Sequence, residues 1–340
     1  MSRKLLSYTA IGLVIGSTAI ADVPKVAVDI APVHSLVSRV MEGVGSPKLI
    51  IPAGASPHEY SLRPSEAKSL QDADMVIWMG EDLAPWMENS IETLSKNAEV
   101  ITLLEESDTK LLDFREGVLF EEHDHGDHDD HDDHDDHDKD HDDHDDHDHD
   151  KDHDDHDDHD DHGDHDGHAH GEHDPHAWLS IENAQTWLNL VAGKLSAADP
   201  DNAGVYFANA AAAREEINDL VKEVNSILEP VRGRNFVVFH DAYQYFETSF
   251  DFPAAGAISL GDATDPSAAR IAEIQDRVKD EGINCVLSEP QYNANLVATV
   301  LSGTNAKTGV IDPLGLGLEP GSKLYGDLIR NMAKALAGCL

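Results

Sequence analysis

Between His123 and His173 the chain carries 18 of its 22 histidines, together with 25 aspartates, one glutamate and only two lysines. Apart from Ala169 this tract has no apolar residue to bury, so it cannot offset the entropy of ordering itself and is predicted to be disordered. Folding is thereby confined to two flanks. About 290 residues remain outside the tract, enough for two domains of ordinary size. An acidic solubilising linker would need no histidine at nearly every third position. Neutral imidazole and carboxylate both bind divalent cations, and imidazole suits zinc, copper and nickel. The tract therefore reads as a metal collector, for zinc first. Its candidate weak ligands are His123, His125, His128, His131, His134, His137, His141, His144, His147, His149, His153, His156, His159, His162, His165, His168, His170 and His173. At three or four ligands per ion they would supply about four to six sites.

The formal charge is −43, of which the tract supplies −24 (25 Asp and one Glu, less two Lys). A chain this anionic is a poor partner for nucleic-acid backbones and anionic membrane surfaces. Residues 1–21 have the pattern of a secretory signal: Arg3 and Lys4, then an apolar stretch, then Ala19-Ile20-Ala21 as an A-x-A cleavage site. A retained membrane anchor is the alternative, but Ser7, Tyr8, Thr9, Ser17 and Thr18 leave the stretch too short and too polar for that. The expected product is a soluble exported protein. In an oxidising compartment, the even pair Cys285 and Cys339 reads as a structural disulfide.

Short apolar runs alternate with helical patterns on both sides of the tract, which predicts βαβ units and mostly parallel sheets. Strands are expected at 26–30, 48–51, 75–79 and 100–104, and again at 236–239, 254–259, 283–287 and 310–311. Helices are expected after 31, at 64–72 and 181–195, and then at 266–281, 293–301 and 323–337. Between the halves, Asp199-Pro200-Asp201 opens an Ala-rich helical pattern that runs to about Leu228, before Pro230. The expected fold is α/β: two lobes, each a mostly parallel four-stranded sheet flanked by helices, joined by a long rigid helix. The expected division is a signal at 1–21, an N-terminal lobe at 22–198 holding the disordered loop 121–174, a connecting helix at 199–229, and a C-terminal lobe at 230–340.

Four histidines lie outside the tract. His58 follows the turn-rich Pro52-Ala53-Gly54-Ala55-Ser56-Pro57 after a predicted strand, and His240 ends Phe236-Val237-Val238-Phe239. His176 sits where the chain re-enters folded sequence. Ligands of open α/β sheets bind beyond the carboxyl ends of strands, so these three can converge on one cleft. His34 borders the apolar face of its helix, where packing or solvent contact is the simpler role.

Gly54-Ala55-Ser56-Pro57-His58-Glu59-Tyr60 with Leu62-Arg63-Pro64-Ser65 resembles the first metal motif of ZnuA-type solute-binding proteins, the periplasmic components of zinc-uptake ABC transporters. Asp174-Pro175-His176-Ala177-Trp178-Leu179-Ser180 resembles the second motif, and Phe239-His240-Asp241-Ala242-Tyr243 the third. Ser288-Glu289-Pro290-Gln291 and Asp312-Pro313-Leu314-Gly315 resemble two further segments, so the likeness spans residues 22–340. It implies Zn(II) as the transported ligand, with His58, His176 and His240 as ligands from both lobes. Glu59 or water would fill the fourth position, with Asp312 as competitor. Manganese-binding relatives replace the third histidine by a carboxylate, so His240 favours zinc. Ligating imidazoles donate their other N–H to a carboxylate or carbonyl, a service expected of Asp241, Glu289 or Asp312. The implied partner is an inner-membrane ABC permease with a cytoplasmic ATPase, met by a monomer, and nucleic acid is excluded.

Two other classes remain open on the residues alone. A secreted zinc hydrolase would keep three protein ligands, an open water and a base, but the chain has no His-Glu-x-x-His helix. A metal storage or buffer protein would use the tract but not the paired lobes. The expectation is a capture protein without catalysis.

Overall fold

A computed structural model describes residues 23–115, 173–259, 267–280, 282–291, 297–299 and 301–340. The predicted signal and the tract histidines up to His170 lie outside these residues, as does most of the helix expected at 293–301.

Before the tract, four short strands, β1 (Val26–Val28), β2 (Lys48–Leu49), β3 (Met75–Trp78) and β4 (Glu99–Thr102), form one sheet in the order β2-β1-β3-β4. After it, β5 (Phe236–His240), β6 (Gly256–Ser259), β7 (Cys285–Ser288) and β8 (Lys307–Val310) repeat that order as β6-β5-β7-β8. Every pairing among these strands is parallel. Parallel strands need crossovers, and helices supply them on both faces. Strand β5 shows the consequence: Phe236 and Val238 enter the main core, while Val237 and Phe239 enter a second cluster on the opposite face with Ile274 and Val278. Both faces are covered, which is why the strand reads as an unbroken apolar run.

Three N-terminal helices, α1 (Ala31–Val40), α2 (Pro64–Gln71) and α3 (Pro85–Leu94), each carry proline in the first turn, where its missing N–H costs nothing. In α2, Glu66 also reaches back to accept the backbone N–H of Arg63 at 2.7 Å, the half of a capping box that an N3 glutamate supplies. Helix α4 (Ile181–Ala198) begins on Ser180, whose Oγ accepts the Asn183 backbone N–H. The connection then makes a 3-10 turn at Pro200–Asn202 before α5 (Ala203–Leu228). At the usual rise the 26 residues of α5 span about 39 Å. It packs along α4 and meets α1 as well as the C-terminal helix α8 (Leu324–Cys339). Helices α6 (Gln244–Phe250) and α7 (Ala268–Asp280) complete the set introduced here.

Three differences from the expected elements have simple causes. Helix α6 is only 7 residues long, and in α3 only Met87 and Ile91 are buried, so neither builds a clear apolar period. Strand β8 lies at Lys307–Val310 and not on Val310-Ile311; it is mostly exposed, so no apolar run marks it.

Cys285 and Cys339 form a disulfide that ties β7 to the end of α8. The neighbouring strand leaves no space there: a Cβ on Gly309 would stand 2.8 Å from a Leu287 methyl and 3.1 Å from the Cys339 Cβ. Among the described residues no helix is long and apolar enough to cross a membrane.

Candidate metal centre

The carboxyl ends of β5 and β7 place the first pair of functional groups. Val238 pairs with Leu287 in parallel register, so two residues further on His240 stands beside Glu289. Their side chains meet: His240 Nδ1 lies 2.5 Å from Glu289 Oε1, and both residues are buried. His176 is placed differently, by the 3-10 turn Ala177–Leu179 that leads into α4. Asp174 Oδ1 accepts the His176 backbone N–H at 2.9 Å and stands 2.7 Å from its Nδ1. A carboxylate accepts hydrogen bonds, so each contact favours the tautomer in which Nδ1 carries the proton and Nε2 presents a lone pair.

Those two Nε2 atoms face each other at 3.4 Å. With Nδ1 as the protonated nitrogen of each ring, this gap is lined by two lone pairs. Two nitrogens each about 2.0–2.1 Å from one ion at the tetrahedral angle would stand about 3.4 Å apart. The ring centroids of His176 and His240 are 5.2 Å apart, and those of His58 and His176 are 5.6 Å apart. His176 is therefore the middle ring of three. The convergence is pairwise: among the described residues, no three His, Cys, Asp or Glu side chains stand as a finished coordination shell.

His58 comes from the loop after β2. Its backbone N–H donates to Ser56 Oγ at 3.3 Å, and Trp86 at the head of α3 donates its indole N–H to Pro57 O at 2.7 Å. The three rings line a cavity of about 20 Å³ with Trp178, Glu289, Gln291 and Leu314, which holds one water-sized occupant. A larger groove of about 580 Å³ between α1, α5 and α8 contains no histidine. Trp178 closes one wall, and its indole N–H reaches Pro313 O at 2.9 Å.

None of the remaining predicted residues among those described lines this cavity. Glu59 is exposed and does not line it. Asp312 Oδ1 accepts the backbone N–H groups of Leu314 and Gly315, each at 3.0 Å, and so shapes the turn that supplies Leu314. Burial pushes its carboxyl pKa up against the pull of those bonds. Asp241 pairs with Arg115. His173 stands at the near end of the tract, its Nδ1 2.8 Å from Asp113 Oδ1. His34 is buried in α1 against Pro47 O and Ser38 Oγ, and burial lowers its pKa.

Three contributors escaped the sequence reading: Asp174, Trp86 and Arg115. Asp174 was within reach, because an aspartate two residues before His176 with proline between them is an Asx-turn pattern. Arg115 had no local signal. Its guanidinium bonds Asp241 and Glu247, more than 100 residues away along the chain.

A family model described as "Zinc-uptake complex component A periplasmic" matches residues 26–339. The chain is 49% identical over 321 residues to the High-affinity zinc uptake system protein ZnuA of Paracoccus denitrificans, covering 94% of this chain and 93% of that protein. It is 46% identical over 325 residues to the protein of the same name from Brucella abortus (strain 2308), covering 96% and 94%. A solved structure described as "Crystal structure of ZnuA" superposes with a TM-score of 0.69 at 18% identity, covering 94% of this chain and 99% of that one, a likeness of fold.

Proposed function

The chain belongs to the ZnuA family of periplasmic zinc-uptake components, and from that premise we propose that it captures Zn(II) between its lobes and hands it to a membrane permease. His58, His176 and His240 are the protein ligands in this reading. Water or the adjacent Glu59 completes a tetrahedron as the fourth ligand. The supporting observation is the pair of Nε2 atoms at 3.4 Å, each ring held by a carboxylate at its other nitrogen. Such supports orient the ring and raise its basicity.

Capture fits this cavity better than catalysis does. A space of about 20 Å³ accepts an ion or a water, whereas organic ligands occupy sites of roughly 300–1,000 Å³. Protons compete with metal for imidazole, so affinity falls as the medium is acidified. Export to the periplasm, a monomeric state, and delivery to an ABC permease powered by a cytoplasmic ATPase complete the reading.

The test is competition between the full chain and a zinc chelator strong enough to empty the weak tract sites. The parent should retain one ion, and His58→Ala, His176→Ala and His240→Ala should each surrender it. Equal retention by all four proteins would exclude this cavity as the capture site.

A further inference from the structure

His240 is held from two sides, and only one of them is the ring contact with Glu289. On the other side its neighbour Asp241 is buried beneath Arg115. The guanidinium donates from Nε to Asp241 Oδ2 at 3.0 Å and from Nη2 to Asp241 Oδ1. It also donates from Nη1 and Nη2 to the two oxygens of Glu247, at 2.8 and 3.1 Å. Arg115 is 17% exposed, and each carboxylate is 6% exposed. One cation thus forks onto both ends of the segment 241–247, which begins directly after the histidine. Glu247 is tied down further by the Ala254 backbone N–H, which donates to its Oε2 at 3.0 Å.

The segment that carries Arg115 also holds the support of the other histidine. Asp174 donates its backbone N–H to Leu112 O at 2.8 Å, and Asp174 is the carboxylate against His176 Nδ1. Tyr245 joins the two arms by accepting the Leu112 backbone N–H and donating to Asp174 O, both at 2.9 Å. Residues 112–115 therefore touch, within four positions, the supports of both histidines whose Nε2 atoms face each other.

We propose that Arg115 is a positioning residue for metal capture, setting His240 against His176 by clamping Asp241 and Glu247. This rests on the zinc reading above. Arg115 acts in this proposal through the backbone that Asp241 shares with His240. Lysine cannot replace it, because a single ammonium cannot make two bidentate forks.

The test uses the full chain, chelator competition for zinc affinity, and cobalt(II) as a spectroscopic probe of the ligand geometry. Arg115→Lys and Arg115→Met should bind zinc about 10–100-fold more weakly, as loss of an outer support commonly does, and should alter the visible spectrum of the cobalt form. Arg39→Met, which breaks an ion pair with Glu216 on the α1–α5 contact, is the control. It should change melting of the metal-free protein but neither metal readout. If Arg115 acts through Asp241, the losses from Arg115→Met and Asp241→Asn should not add in the double variant. Should Arg115→Met fail to fold, Arg115→Lys, which keeps the charge, decides the matter. Parental zinc affinity and an unchanged cobalt spectrum in the Arg115 variants overturn the proposal. A parent that itself yields its zinc to the chelator overturns the capture reading instead.

Discussion

His176 and His240 turn their Nε2 atoms toward each other across 3.4 Å while each ring rests its Nδ1 on a carboxylate. The tautomer that the carboxylates favour leaves both Nε2 lone pairs in that gap, at the separation a single cation would require. The carboxylates keep it that way, because they decide which nitrogen holds the proton.

Removing one of these supports should therefore weaken capture without removing a ligand. Glu289→Ala leaves His240 in place but frees its ring, and zinc affinity read by chelator competition should drop about 10–100-fold. An unchanged affinity would mean that β5 alone orients the ring.

Asp29 should impose a pH dependence unrelated to the metal. It is fully buried at the end of β1, where its oxygens accept the Ile30 and Met79 backbone N–H groups, each at 2.7 Å. Burial outweighs those bonds and raises its pKa from 3.8 to about 7. The folded state thus keeps a proton that the unfolded chain has released between these values. Its contribution is full below the unfolded pKa and is lost as the pH rises to about 7, with a slope of up to about 1.4 kcal/mol per pH unit. Asp29→Asn should remove that slope from denaturation curves recorded between pH 4 and 8. Parallel pH profiles for the two proteins would refute it.

The Cys285–Cys339 bridge closes a sequence separation of 54 residues. Its loss by Cys285→Ser with Cys339→Ser should cost about 4 kcal/mol on the chain-entropy estimate. Denaturant titration of the metal-free protein reads this directly. A loss under about 1 kcal/mol would show that α8 is held by its packing on α1, α5 and β8.

Deleting residues 123–172 separates the tract from the cavity while leaving the His173–Asp113 contact intact. Calorimetry should find one tight zinc retained and the weaker sites gone. Loss of the tight site would mean that tract histidines complete its ligand set.

Much of this was legible before any coordinates. The run Phe236-Val237-Val238-Phe239 announces a strand buried on both faces, and the pattern after Asp199 announces the long helix, because burial and helical period are written in neighbouring residues. Short or exposed elements were harder to see: α6 spans 7 residues, and β8 keeps most of its side chains in water. His58, His176 and His240 stood out because imidazole is scarce outside the tract and all three sit in turn-rich or strand-end settings. Asp241, Glu289 and Asp312 are all candidate supports in the sequence, and nothing local says which of them touches a ring.

The amino-acid order by itself determined the alternation of strands and helices, the concentration of histidine and aspartate in the tract, and the choice of three histidines as candidate ligands. The tertiary structure alone decided that Glu289 meets His240, through the parallel register of Val238 with Leu287, and that Arg115 covers Asp241. The reason is one of range. Period and composition act over a few neighbouring residues, whereas a hydrogen bond about 3 Å long between groups far apart in the chain exists only once both sheets have formed and packed.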